Sequence, residues 1–243
     1  MKMKKLIKPF IPKPIRRFIT YFLALSPVVK RSCNICGFKG YFEHFAGPPL
    51  LSEVVCPKCG SHSRHRLFWD WYEEAKMPLI EPVYHFAPEG VLENKFRGNL
   101  QKYVTSNITP TADCVLDIQN IDLPDSSIGT IICNHVLEHV PNDRQALKEF
   151  RRVLKPEGRL IVSVPLIEGW ALTYEDEGIT SERERTAHFG QCDHLRVYGH
   201  DFRSRLTEAG FGKVEEITAY GAKAVELGLL RGEKIFLCSG TAV

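Results

Sequence analysis

Four of the eight cysteines lie in two C-x-x-C pairs, CNICG and CPKCG. Cys33 and Cys36 form the first pair, Cys56 and Cys59 form the second, and nineteen residues separate the pairs. Two residues between thiolates let both sulfurs face one ion from a tight turn, and the glycine after each pair lets the backbone curl back. The doubled spacing predicts a structural Zn²⁺ site with four thiolate ligands and no open position.

Other interpretations of these cysteines stay open. Disulfides would require export, and a redox C-x-x-C would not need a second matched pair. His62 or His65, which follow the second pair, could also replace one cysteine as a ligand. The remaining cysteines are scattered and are predicted to be small buried apolar residues: Cys114, Cys133, Cys192 and Cys238.

A second group of residues suited to chemistry lies between 168 and 200. It combines acid–base and polar side chains within eleven positions: His188, Gln191, Asp193, His194, Arg196 and Tyr198. The pair of Asp193 and His194, or His188 alone, is the candidate general base for a hydroxyl or amine. A solvated loop is one alternative, and a metal site of His188, Asp193 and His194 is another.

The segment VYHFAPEG, residues 83–90, has the pattern of a buried strand that runs into a turn. A dinucleotide-binding turn needs several glycines, because a pyrophosphate approaches the backbone there. This turn has a single glycine, Gly90, which follows Ala87 and Glu89. The sequence therefore argues against a dinucleotide at this position.

These residues are embedded in an alternation of strands and helices that begins near residue 80. The predicted strands are EPVYHF, KYVTSN, CVLDI, GTIICNHV, GRLIVSVP, KVEEITAY and EKIFLCS. The predicted helices are VLENKFRGNLQ, NDRQALKEFRRVLKPEG and DFRSRLTEAGF. This order predicts an α/β fold with a Rossmann-like, mostly parallel sheet, helices on both faces and an antiparallel last strand. Only six residues separate the second and third strands, so a helix is missing there or one strand is rudimentary.

The chain is predicted to divide into a leader (1–31), a zinc-ribbon-like module (32–66), a connecting helix (67–79) and an α/β domain (80–243) with a lid at about 168–200. The leader carries nine Lys and Arg and no acid, so the net charge of +3 leaves −6 on the other 212 residues. An acidic main domain argues against a broad nucleic-acid surface.

The leader contains a twelve-residue apolar run, FITYFLALSPVV, whereas a membrane span needs about 20 residues. Its basic residues suit the surface of an anionic membrane. A signal peptide and a packed or disordered extension are the alternatives. The sequence thus predicts a cytoplasmic protein whose leader is a candidate for contact with the inner face of the membrane.

The run LDIQNIDLPDSSIGTIICNHVLEHVPNDRQALKEFRRVLKPEGRLIVSVP resembles the class I S-adenosylmethionine-dependent methyltransferases, in the group that methylates small molecules. The likeness rests on five features of this run. They are the acidic residue Asp117 with Ile118 after it, an L-P-x-x-S turn, a strand that ends in a polar residue, the segment V-L-x-H-V after that strand and a K-P-x-G turn. It extends over residues 80–240. Two positions depart from the family, because Gly129 stands where an aspartate is usual and Glu157 replaces the first glycine of K-P-G-G.

The resemblance implies S-adenosylmethionine as the cofactor, and this molecule has no phosphate, in agreement with the glycine-poor turn. Ala87 would allow close approach and Glu89 would accept from the ammonium group. Asn107 would reach the ribose hydroxyls in place of the usual acid, and Asp117 would accept from the adenine amino group. The implied cofactor residues are His85, Phe86, Ala87, Glu89, Asn107, Asp117, Ile118, Asn134 and His135. A turn cap for Asp117, a core role for His85 and a degenerate site are the alternatives.

In this family the segment after the fifth strand covers the substrate, which implies contacts from Tyr174, Gln191, Arg196 and Tyr198. The predicted function is methyl transfer to a small or carrier-linked acceptor, such as a sugar or another anionic metabolite. One alternative is an RNA methyltransferase in which the leader and Arg64, His65 and Arg66 contact phosphate. The other is a non-catalytic interaction protein that docks through the zinc module.

Overall fold

A computed structural model describes residue 12 and residues 29–45, 51–76 and 78–241. Most of the leader, and with it the predicted membrane contact, lies outside the described residues. Within the described part of the chain, no helix is long and apolar enough to cross a membrane.

Two short antiparallel strand pairs open the described chain. β1 (Lys30–Ser32) pairs with β2 (Lys39–Tyr41), and β3 (Glu43–Phe45) pairs with β4 (Leu51–Val55). The two C-x-x-C pairs follow β1 and β4 directly, so each begins a turn at the end of a strand. This arrangement agrees with the predicted zinc-ribbon-like module.

The connecting helix is α1 (Ser63–Ala75), which begins four residues before the predicted start at 67. The earlier start has a local cause, because the backbone N–H of His62 donates to Nδ1 of His65 at 3.1 Å. Phe68 and Trp69 of this helix are buried, and both rings meet the ring of Phe96 at centroid distances of 5.9 and 5.8 Å. The aromatic residues thus dock α1 onto the main domain.

Seven strands form the main sheet: β5 (Val83–Phe86), β6 (Tyr103–Asn107), β7 (Cys114–Val115), β8 (Ile128–Asn134), β9 (Leu154–Ser163), β12 (Phe211–Thr218) and β13 (Lys234–Thr241). Their order is β12-β13-β9-β8-β5-β6-β7. The strands from β5 to β9 are parallel to one another, and β13 runs antiparallel to both β9 and β12. The predicted Rossmann-like sheet with an antiparallel last strand is confirmed.

Helices cover both faces of this sheet, as predicted. α2 (Gly90–Arg97) packs with α1 on one face, and α3 (Asp143–Val153) packs with α5 (Phe202–Glu208) on the other. Neighbouring residues of the central strand β8 alternate between the two cores, with Ile131 in one and Ile132 in the other. A last short helix, α6 (Gly221–Glu226), connects β12 to β13.

The short link between the second and third predicted strands is explained by the third strand, which is rudimentary. β7 has only two residues, and six residues without a helix join it to β6. The glycine that departs from the family pattern also has a structural cause. A side chain at Gly129 would place its Cβ 2.2 Å from the carbonyl oxygen of Ile80, so no larger residue fits unless the backbone moves.

The predicted lid contains elements that the periodicity did not indicate. β10 (Tyr174–Glu175) pairs with β11 (Arg196–Val197), and α4 (Glu182–Phe189) lies between them. Ser181 and Glu184 cap the start of α4 by bonding to each other's backbone N–H groups. A 3-10 turn, Leu137–His139, follows β8 and lies beneath the lid.

Candidate functional site

A cavity of about 540 Å³ lies at the carboxyl ends of the parallel strands. Ligands of open α/β sheets bind at this edge, because the loops that follow the strands converge there. Six of the nine residues predicted to hold the cofactor line this cavity: Phe86, Ala87, Asn107, Asp117, Ile118 and His135. The lid contributes Asp193 to the same wall.

The turn after β5 brings its backbone close to the cavity. Ala87 has a φ of 46°, in the left-handed region that glycine usually occupies, and its N–H donates to the carbonyl of Ser106 at 2.8 Å. Its methyl group adds little bulk, so a ligand can approach the turn closely. α2 starts three residues later, and its free N–H groups suit an anionic group.

The strands β6 and β7 supply the polar groups at the other end of the cavity. The Asn107 side chain accepts from the N–H of Ile108 at 2.8 Å and donates to Thr111 at 3.0 Å. Asp117 accepts from the N–H of Gln119 at 2.8 Å. Ile108 lies between them and is 64% exposed, so it offers an apolar surface to a flat ring.

Glu89 is not among the residues that line the cavity. Its carboxylate lies 3.1 Å from Nε2 of His85, 3.3 Å from Nδ2 of Asn134 and 3.5 Å from Nε2 of His65. Burial opposes its ionisation, but the contacts with His65 and His85 outweigh burial and hold the pKa of Glu89 far below its ordinary value. Glu89 is therefore a largely buried anion that supports the turn from outside the cavity lining.

His85 and Asn134 also lie behind the wall of the cavity. His85 is fully buried, and its Nδ1 lies 2.7 Å from the hydroxyl of Tyr103. Asn134 accepts from the hydroxyl of Ser163 at 2.9 Å. Its neighbour His135 lines the cavity with a φ of 52° and donates its N–H to the carbonyl of Ser163 at 2.8 Å.

The lid meets the 3-10 turn at the edge of the cavity. Asp193 Oδ2 lies 3.2 Å from Nδ1 of His139, not beside His194 as the sequence had predicted. The ring of His194 packs edge-on against the ring of His139, with centroids 4.8 Å apart. Burial lowers the pKa of His194 below its ordinary value.

The other lid residues lie away from this edge. His188 is exposed, and its Nδ1 lies 2.6 Å from the hydroxyl of Tyr174. Gln191 is exposed as well. His188, Tyr174 and Gln191 are not among the residues that line the cavity, so their predicted catalytic and substrate roles would need a movement of the lid.

Arg196 and Tyr198 hold the lid in place. The Arg196 guanidinium donates to the carbonyls of Leu137, Val140 and Pro141 and to the carboxylate of Glu175. Tyr198 is fully buried and donates to Asp143 at 2.9 Å. These bonds give both residues a structural role in the lid, and neither is among the residues that line the cavity at the strand ends.

A model of the methyltransferase domain family matches residues 93–162, from α2 through β9. The matched residues include Asn107, Asp117 and His135 of the cavity. The match begins after the turn at Ala87 and does not include it. Residues 93–162 are thus similar to a methyltransferase domain, and the strand order of the sheet agrees with the predicted class I methyltransferase fold.

Solved structures share the fold of this chain. One is the [4+2]-cyclase SpnF, with a TM-score of 0.55 and 13% identity over 95% of this chain and 96% of that one. Another is a complex of the Haloferax volcanii Trm112 methyltransferase activator with a putative methyltransferase, with a TM-score of 0.50 and 16% identity over 74% of this chain and 90% of that one. At these identities the likeness concerns the fold alone.

A curated protein of Streptomyces fradiae, described as an uncharacterized 37.1 kDa protein in transposon TN4556, is 42% identical over 60 residues. The matched segment is 25% of this chain and 17% of that protein. The chain thus spans less than a fifth of this relative's length.

The four cysteines of the N-terminal module converge, as their spacing predicted. Their sulfurs lie within 4.8 Å of one another, with 3.7 Å between Cys33 and Cys59 and 3.6 Å between Cys36 and Cys56. Thiolates at about 2.3 Å from a tetrahedral Zn²⁺ lie roughly 3.8 Å apart. The donor set and its spacing therefore fit a tetrahedral zinc ion, and no histidine belongs to the cluster.

The two knuckle turns share one geometry. The N–H of Gly37 donates to the carbonyl of Cys33, and the N–H of Gly60 donates to the carbonyl of Cys56, both at 2.9 Å. The hydroxyl of Ser61 lies 3.3 Å from the Cys33 sulfur. Burial opposes the ionisation of Cys33, but Ser61 and nearby backbone N–H groups lower its pKa to about 7.

The basic run after the second cysteine pair binds the methyltransferase domain. Arg66 is fully buried and donates to the carbonyls of Val54, Ser61, Leu227 and Gly228. His65 is buried against Glu89. Both side chains are inside the protein, so His65 and Arg66 cannot contact RNA phosphate as the RNA alternative predicted, whereas Arg64, the third residue of that prediction, is half-buried.

Two residues at the cavity edge were missed in the sequence. Glu138 and His139 belong to the VLEHV run, which was used only to support the family resemblance. An acid and a histidine in the loop that follows a buried parallel strand are a usable signal, since the loop at that end of a strand faces the ligand.

Proposed function

We propose that this chain binds S-adenosylmethionine in the cavity and transfers its methyl group to a hydroxylated small or carrier-linked acceptor. The observation that carries the proposal is the polar and apolar lining of the cavity at the carboxyl edge of a methyltransferase sheet. Its volume of about 540 Å³ falls within the range of small-molecule sites, about 300–1,000 Å³.

The two ends of the cofactor would contact different strands. Asp117 accepts from the adenine amino group, Asn107 bonds the ribose hydroxyls, and Ile108 covers the adenine ring. The amino-acid end lies against Ala87 and the start of α2. Glu89 positions this turn through His85 and Asn134, because it lies behind the cavity and not within it.

When bound, the cofactor supplies a methyl group that its sulfonium makes electrophilic. The chain's own residues orient the acceptor and exclude water, which is the main protein contribution to such a displacement. The acceptor enters beneath the lid, where His139 and Asp193 line the cavity. The case for an anionic acceptor is weaker than the sequence indicated, because Arg196 is already paired with Glu175.

We also propose that Cys33, Cys36, Cys56 and Cys59 hold one structural Zn²⁺. Four thiolates leave no position open for a substrate, so the ion supports folding rather than chemistry. The module is joined to the sheet through Arg66 and α1, and its zinc therefore supports the domain that forms the cavity.

Calorimetric titration with S-adenosylmethionine tests the cofactor assignment. Asp117→Ala should weaken binding at least tenfold, equivalent to about 1.4 kcal/mol, because the adenine amino group loses its acceptor. Asp122→Ala is the matched control, since Asp122 is exposed five residues further on and should bind like the wild type. Absence of binding to the wild type would refute the proposed function.

A further inference from the structure

Three potential metal ligands meet at the edge of the cavity. Glu138, His139 and His194 bring one donor atom each within 4.8 Å of one another. The first two come from the 3-10 turn after β8, and His194 comes from the lid after α4. Glu138 and His194 are 0% and 4% exposed, whereas His139 also lines the cavity.

Glu138 is a buried carboxylate without hydrogen-bond partners. Within the described part of the chain, neither of its oxygens accepts a hydrogen bond. The nearest cationic candidate is Nδ1 of His135, 3.3 Å from Oε1. An unpaired buried carboxylate costs several kcal/mol, so such groups are normally hydrogen-bonded or bound to a metal. Beside the imidazoles of His139 and His194, this carboxylate has the surroundings of a metal ligand.

The two histidines are oriented as metal ligands usually are. Nδ1 of His139 lies 3.2 Å from the carboxylate of Asp193, and Nδ1 of His194 lies 3.3 Å from the carbonyl oxygen of Phe189. An Nδ1–H that donates to such an oxygen leaves the lone pair on Nε2. A carboxylate or carbonyl behind the far ring nitrogen is the usual support of a metal-bound histidine.

We propose that Glu138, His139 and His194 form a binding site for a divalent transition-metal ion, separate from the cysteine cluster. Two imidazole nitrogens and one carboxylate favour Mn²⁺, Fe²⁺, Co²⁺ or Zn²⁺ over Mg²⁺ or Ca²⁺. Three protein ligands leave further coordination positions open. Because His139 lines the cavity, these positions are accessible from the acceptor side.

The role of this ion rests on the proposed function, although its binding does not. An acceptor hydroxyl bound to the ion is held beside the methyl group and ionises more readily. Its oxygen forms a bond to the methyl carbon as the carbon–sulfur bond breaks, and the electron pair of that bond returns to sulfur. The proton of the hydroxyl passes to Asp193 or to water. No separate histidine base is needed.

Manganese binding tests the site on the full-length protein with its cysteine cluster loaded with zinc. Titration followed by electron paramagnetic resonance should show one tightly bound Mn²⁺ per chain. Glu138→Gln keeps the shape of the side chain and should weaken binding at least tenfold. Glu182→Gln, which changes an exposed acid at the start of α4, should bind Mn²⁺ like the wild type.

The identity of the ligands is tested by pulsed measurements on bound Mn²⁺. Coupling to imidazole nitrogen is expected in the wild type, with a reduced contribution in His139→Gln. This variant also keeps the test valid if Glu138→Gln does not fold. Three results would overturn the site: no Mn²⁺ binding at millimolar concentration, Mn²⁺ bound without nitrogen coupling, or equal affinity in Glu138→Gln and the wild type.

The same samples separate this inference from the proposed function. Asp193→Asn should weaken Mn²⁺ about tenfold while leaving the three ligands in place, because it removes the support of His139. Binding of S-adenosylmethionine without Mn²⁺ binding would refute the metal site and leave the methyltransferase proposal standing. Binding of Mn²⁺ without S-adenosylmethionine would do the reverse.

Discussion

The cysteine cluster and the cavity both depend on turns with a positive φ, but they form these turns from different residues. The knuckles use Gly37 and Gly60, with φ values of 73° and 69°, whereas the cavity uses Ala87 and His135, at 46° and 52°. A left-handed backbone costs a residue other than glycine roughly 1–2 kcal/mol. The cysteine turns are therefore relaxed, and the cavity turns are strained and held by the surrounding structure.

The two regions also differ in what holds them. Each knuckle closes within five residues, so the cysteine cluster needs only its own turns and an ion. The cavity depends on contacts between distant segments, such as Glu89 with His65 and Arg196 with Leu137. A single substitution in a knuckle should thus disrupt the cysteine cluster. A substitution that relieves backbone strain in a cavity turn should leave the cavity folded, because distant contacts hold it.

The largest effect is expected from Cys56→Ser, which removes one of four thiolates. Structural zinc contributes about 10–16 kcal/mol of apparent binding energy in small zinc modules, so the module should lose its metal and unfold. Substitution with Co²⁺ would show this as loss of the sulfur-to-cobalt absorption band. Cys192→Ser, at an exposed position in the lid, should keep the band. An unchanged band in Cys56→Ser would mean that the four cysteines do not form one site.

The next largest effect is expected from Arg66→Met, which removes the charged group that joins the cysteine module to Leu227 and Gly228, between α6 and β13. Four backbone carbonyls would lose a charged donor, so the free energy of unfolding should fall by about 3–5 kcal/mol. Urea denaturation measures this change. Arg183→Met is the control, because Arg183 is exposed on α4 and should change stability by no more than about 0.5 kcal/mol. Equal stability of the two variants would show that the module is held by zinc and apolar contacts alone.

The sequence predicted what depends on local pattern. Doubled C-x-x-C spacing and the alternation of strands and helices each identified their elements, because the determining residues are near neighbours. α4 was missed because SERERTAHF has no apolar stripe and buries only Phe189. Arg66 and Glu89 were assigned to ligands since charged residues are normally exposed. Their burial results from contacts with residues far along the chain, which no local pattern shows.

A smaller effect is expected from Gly60→Ala in the second knuckle. A Cβ at this position would meet no atom within 4 Å, so the cost should come from the positive φ alone, about 1–2 kcal/mol. Gly98→Ala is the matched control, because Gly98 also has open space but a helical φ of −84°. That control should raise stability by about 0.4–1 kcal/mol through the unfolded state. Similar values for both variants would contradict the view that the knuckle requires glycine.

The smallest effect, and the one with the opposite sign, is expected from Ala87→Gly in the cavity turn. Relief of about 1–2 kcal/mol of backbone strain is offset by about 0.4–1 kcal/mol of added freedom in the unfolded chain. The net change should be a gain of about 0.5 kcal/mol in the free energy of unfolding, measured by urea denaturation. Ala187→Gly, at an exposed position inside α4, should lose about 1 kcal/mol instead.

The same variant should bind S-adenosylmethionine less tightly than the wild type, because a glycine turn is less preorganised for the ligand. Higher stability with weaker binding would indicate that the strain at Ala87 serves the site. A loss of stability equal to that of Ala187→Gly would show that position 87 carries no strain, and the contrast between the relaxed knuckles and the strained cavity would then fail at this turn. His135 would remain as the second place to test it, because it also has a positive φ, of 52°, and is not a glycine.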